Sequence, residues 1–191
     1  MPRITLPSPD VMNADQRAVY DRIISGPRGK IQGPLRAAIH NADLADKWQA
    51  LGALLRYKTS LSPRHSELAI LVTGRACQSP FEWYAHCIEA LHVGIEKSII
   101  SDLLAQQEPK NLSDEDQIIW SFSQELNRYK SVSDITYKKT LERFGEKTVV
   151  ELTALIGYYT MVAMTLNAHE IPLPEGIVAD FPLPQHQGMA S

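Results

Sequence analysis

Apolar residues recur along this chain at helical spacing, separated by short polar joints, and no alternating run suggests a strand. The pattern predicts an all-α fold. A first helix is expected from Asn13 to Ser25, stopped by Gly26-Pro27, and the basic, glycine-bearing segment from Arg28 to Gly33 reads as a loop. Between Pro34 and Lys58 the pattern gives a short helix, a joint near Asn41 and a longer helix. The longer one carries Leu44, Trp48, Leu51, Leu54 and Leu55 on one inward face.

Ser62-Pro63 opens the next helix, running to about Cys77, because the serine can cap free N–H groups and proline suits the first helical position. Its stretch from Leu68 to Val72 is apolar nearly all round and belongs in the interior. Ser79-Pro80-Phe81-Glu82 repeats the start signal as a capping box, for a helix from Pro80 to Val93 that Gly94 ends. Further helices are expected from Glu96 to Leu104, from Ser113 to Tyr129, and from Ser133 to about Phe144-Gly145.

The last helix, about Lys147 to Asn167, is too apolar to lie exposed. It predicts either a central position or burial between subunits, with the interface favoured. From Ile171 the chain is proline-rich and reads as an extended arm or partly disordered tail, so the predicted organisation is one helical domain over 1–170 and an arm over 171–191.

Composition narrows the classes. Hydrophobic residues make up 44% of the 191, enough for a real core. The net charge of −3, without long runs of one sign, gives no electrostatic footprint for nucleic acid or an anionic membrane. No uninterrupted apolar run approaches the roughly 18 residues of a membrane span, and the N-terminus lacks a signal peptide's hydrophobic stretch. A cytoplasmic protein is expected. The two cysteines, Cys77 and Cys87, form no C-x-x-C and no disulfide framework.

Three ionisable residues stand among apolar neighbours on the helices between Pro63 and Val93. Glu82 and His86, four apart, share a helical face. Glu67 lies on the preceding helix, which the turn at Gln78-Ser79 should fold alongside. Two carboxylates and an imidazole in a dry pocket would supply both a proton donor and an acceptor near neutrality. Each also has a purely structural reading: Glu82 closes a capping box, His86 is a satisfied structural histidine, and Glu67 pairs with Arg64 or Arg75. Glu82, His86, Glu89 and His92 could in principle ligate a metal, but a di-iron bundle needs a second Glu-x-x-His, which is absent. No metal or cofactor is expected. Serine-hydrolase, Walker and dinucleotide motifs are missing as well.

Glu67-Leu-Ala-Ile-Leu, followed by Phe81-Glu82-Trp83-Tyr84-Ala85-His86, Ala90 and Gly94, resembles the signature of carboxymuconolactone decarboxylase-like proteins. Gly33-Pro34, the helix from Asn41 to Leu55, Gly157-Tyr158-Tyr159 and Asn167-Ala168 extend the resemblance. The superfamily includes alkylhydroperoxidase D-like enzymes, which reduce peroxides through a C-x-x-C pair. In that register Glu67 and His86 match the family's glutamate and histidine, but Ser79 and Glu82 occupy the cysteine positions, leaving no dithiol for a peroxidatic cycle.

The resemblance therefore implies a helical bundle that forms dimers, trimers or hexamers. It also implies cofactor-independent acid–base chemistry on a small carboxylated or lactone-like substrate, carried by Glu67, Glu82 and His86. Trp83 and Tyr158 are candidates to stack on a planar substrate. Two other classes stay open: a peroxidase-related protein using Cys77 or Cys87, and a non-catalytic helical oligomer.

Overall fold

Side-chain caps decide where most of the helices begin. In the computed structural model, which describes residues 1–26 and 29–184, a 3-10 turn at Pro9–Val11 precedes helix α1 (Ala14–Ser25). Asn13 caps α1 in a reciprocal box with Gln16. The short α2 (Leu35–Ala38) leads to α3 (Ala42–Tyr57), where Asn41 accepts from the Leu44 N–H. Ser62 accepts from His65 to open α4 (Pro63–Ala76). Helices α5 (Pro80–His92) and α6 (Lys97–Leu104) follow. Ser113 and Ser133 cap α7 (Asp114–Tyr129) and α8 (Asp134–Ala168). No strand occurs among the described residues, as the period of the sequence predicts. Pro27 and Arg28, named in the expected stop and loop, lie outside them.

Helix α8 joins two expected helices. It is interrupted at Gly145, whose φ of 79° and ψ of 166° are not helical. This is backbone that favours glycine, so the break falls at the predicted Phe144-Gly145 boundary.

Helix α4 is the centre of the bundle. Every residue from His65 to Gly74 is buried, and the helix packs against α5, α7 and α8. Leu68, Ile70 and Leu71 meet a core that includes Trp83, Ile119, Phe122, Leu152, Leu155 and Leu166. The second half of α8 is part of that core, with Val149, Leu152, Leu155, Ile156, Val162 and Leu166 buried within the single chain. Burial within the single chain therefore accounts for most of its apolar character, while Val150 and Met164 remain exposed. Its length and hydropathy would by themselves suit a membrane span, but half of the relevant window is buried in the bundle.

Two expectations are corrected, and a third is sharpened. The inward stripe of α3 is Ala45, Trp48, Gly52 and Leu55, rotated from the expected face, so Leu44, Leu51 and Leu54 remain nearly half exposed. The Ser79 hydroxyl makes no capping bond, and the expected capping box is absent. The segment after Ile171 is extended but docked: Asp180 accepts from the Trp83 indole at 2.9 Å, and Phe181 packs edge-on to that ring and under Arg75. Residues 185–191 of the expected tail lie outside the described chain.

Candidate active site

Helices α4 and α5 run side by side, and this brings Glu67 to the imidazole of His86. The two helices approach closely at Gly74, where an added methyl group would stand in ordinary contact with Glu82 Cγ, at 3.5 Å. His86 Nδ1 lies 2.6 Å from Glu67 Oε2. On the other side, Nε2 lies 2.9 Å from Glu82 Oε1, one helical turn away. The second contact is an ion pair without the alignment of a full hydrogen bond, and that oxygen has no other partner among the described residues. All three side chains are buried. The sequence-predicted trio thus converges, and Glu82 is available because it does not close a capping box.

Charge sets the protonation of this chain of groups. Burial alone would lower the imidazole's pKa, but the negative charges of Glu82 and Glu67, with their hydrogen bonds, outweigh it and raise the value from 6.5 to about 9. His86 is therefore an imidazolium at neutral pH. Tyr159 stands edge-on to its ring at a centroid distance of 5.0 Å. Burial, then the neighbouring Glu82, keeps the Tyr159 phenol protonated well beyond the usual range.

Arg56, from the end of α3, was not among the sequence candidates. Its Nη2 is 3.5 Å from Glu89 and 4.0 Å from Glu67. Burial works against its charge, but Tyr159, Tyr57, Glu67 and Glu89 more than compensate. Glu67, Glu82 and Glu89 thus face His86 and Arg56, so opposite charges offset one another, the condition under which ionised groups are tolerated away from water. Only the fold brings Arg56 here from outside the signature stretch.

A cavity of about 280 Å³ opens beside the cluster. Glu82, His86, Arg56, Glu89, Tyr158 and Tyr159 contribute to its wall, together with the loop at Lys30 to Pro34 and Pro174 of the arm. Glu67 stands behind His86 and does not line it. Tyr158 is on the wall, but Trp83 is not: it is 1% exposed and bonded to Asp180, so the expectation that it faces substrate space is corrected to a packing role. Neither cysteine lines the cavity. Burial raises the pKa of Cys77, and pushes that of Cys87 up to about 12, against thiolate character. Among the described residues no group of three or more His, Cys, Asp or Glu side chains could hold a metal ion, and Glu89, considered as a ligand, pairs with Arg56.

The helices thus enclose a Glu–His–Glu chain beside an open cavity, and solved structures share this all-helical fold. A protein described as an alkylhydroperoxidase AhpD core, an uncharacterized peroxidase-related protein from Ralstonia eutropha JMP134, superposes with a TM-score of 0.76 at 13% identity. The match covers 91% of this chain and 93% of that one. An uncharacterized peroxidase-related protein from Silicibacter sp. TM1040 gives a TM-score of 0.72 at 14% identity, covering 90% and 91%. No curated protein matches the sequence. Residues 42–115 match the model of the carboxymuconolactone decarboxylase family.

Proposed function

We propose that the chain is a cofactor-independent acid–base enzyme resembling carboxymuconolactone decarboxylase, acting on a small carboxylated or lactone-like substrate. The observation that carries this reading is the buried relay in which His86 is held between Glu67 and Glu82 at the wall of a cavity. Both imidazole nitrogens already face carboxylates, so a proton reaches the cavity most directly through Glu82. In the proposed reaction the C–C bond to the substrate carboxylate breaks, CO2 leaves, and the electron pair is held in the conjugated lactone as a dienolate. His86 passes its proton to Glu82, which delivers it to the ring carbon and returns to the carboxylate, and His86 then recovers a proton from water. Glu67 fixes the Nδ1 side and holds the positive charge on the ring. Tyr158 offers an aromatic face to the substrate.

The solved neighbours carry peroxidase-related names, which supports a second reading. Against it stand the absence of a cysteine on the cavity wall and the raised pKa values of both thiols. We also propose that the chain self-associates, on the strength of the exposed leucines of α3.

The test is incubation with a panel of carboxylated butenolides in D2O, followed by NMR. Conversion with deuterium entering the ring is expected, with losses of about 100-fold or more in H86Q and E82Q. Full activity in both variants would remove the relay from the mechanism. Peroxide turnover with stoichiometric loss of thiols would instead establish the second reading.

A further inference from the structure

A second cavity, of about 390 Å³, lies between the C-terminal end of α4, the segment after α6, and α7. Its wall carries Arg75, Arg128, Asn127, Gln124, Gln106 and Trp120, with no carboxylate among its lining residues. This charge pattern is unusual within the chain. Arg3, Arg17, Arg22, Arg56, Arg64 and Arg143 each face an Asp or Glu. Arg75 and Arg128, like Arg36, face none among the described residues, and these two converge on one concavity of a protein whose net charge is −3.

The guanidinium of Arg75 is fixed in place. Its Nε donates to the Leu104 carbonyl at 2.9 Å, and its plane stands 4.6 Å from the Phe181 ring centroid. Burial draws its pKa down with no neighbouring acid to offset the effect, whereas acids raise the values of Arg56 and Arg64. Asn127 is 8% exposed. Its amide nitrogen donates to Thr73 and to the Ser123 carbonyl, which holds the carboxamide rigidly at the wall. Glu125, the nearest acid along α7, is committed to Ser133 and Thr136.

We propose that this cavity is a binding site for a small aromatic or heterocyclic organic anion, separate from the candidate active site. Arg75 and Arg128 hold its carboxylate or phosphate, the carboxamides meet its polar edge, and the Trp120 indole meets its ring. Two like charges in a partly desolvated concavity raise the local concentration of anions and favour forked contacts to an oxyanion. An indole supplies flat apolar area at little entropic cost.

The test uses the full chain with benzoate and phenyl phosphate, and benzamide as a neutral shape control, read by calorimetry and tryptophan emission. At least one anion should bind saturably at one site per chain while benzamide does not, and preference between the two anions identifies the headgroup. R128Q, at an exposed position, and R75Q should each weaken binding about tenfold or more. W120F should abolish the emission change assigned to the site. Failure of both anions to saturate, equal binding of benzamide, or affinity unchanged in both arginine variants would overturn the proposal. Because R75Q also removes the Phe181 contact, R128Q with an unchanged circular dichroism spectrum is the deciding variant.

Discussion

At the scale of single residues, the charge on His86 is the property with the widest consequences. Its pKa in the folded chain is raised, so protonation favours folding. The contribution is present in full below about pH 6.5 and is lost as pH rises toward about 9, where the folded state also releases the proton. The amount at stake is on the order of 3 kcal/mol. Unfolding by urea between pH 6 and 10 should show stability falling across that window, and H86Q should flatten the fall. A histidine titration by NMR should place the native value near 9 and show it dropping in E82Q; a value near 6.5 in the parent would remove the electrostatic basis of the relay.

The Glu82–His86 contact was legible in the sequence because four residues make one helical turn, and Glu67 because a short turn sets two capped helices side by side. Arg56 was not legible. It arrives from α3 through tertiary packing, and nothing in its neighbours on the chain marks it. Trp83 was misassigned because an aromatic residue inside a signature has two faces to choose from, and the acceptor that decides the matter, Asp180, lies 97 positions away.

At the scale of elements, helix starts were readable because Asn and Ser caps act within three residues of themselves. The orientation of α3 was less so: its leucines outnumber Ala45 and Gly52, the small residues that together with Trp48 and Leu55 actually face inward. The break in α8 offers a direct test. A Cβ at Gly145 would meet no atom within 4 Å, so G145A carries a backbone penalty alone, about 1–3 kcal/mol. Thermal unfolding should shift down by about 2–4 °C per kcal/mol at this chain length. An unchanged or higher midpoint would mean that the two halves of α8 run on readily as one straight helix.

At the scale of the whole molecule, the apolar side chains that the bundle does not cover become the informative ones. Leu44 and Leu51 stand two turns apart on α3 with Leu54 beside them, each 45–49% exposed. If copies of the chain meet there, L51E combined with L54E should shift the mass measured by light scattering to that of one chain, with helicity retained. The same mass for parent and variant would mean that this stripe joins no subunits. The fold class was legible because periodicity is a global property of the sequence, but the docking of the arm depends on Arg75 and Trp83, which belong to different helices.

That docking also has a bearing on the ends of the chain. Arg3 bonds the backbone of His169 and pairs with Glu170, and Met1 lines the same hollow as Phe181 and Leu183. The two ends of the described chain therefore meet at one corner of the molecule. A short bridge from Leu183 to Met1 is therefore expected to be compatible with the helical bundle, and a circularly permuted chain opened at a surface loop should keep its helicity by circular dichroism.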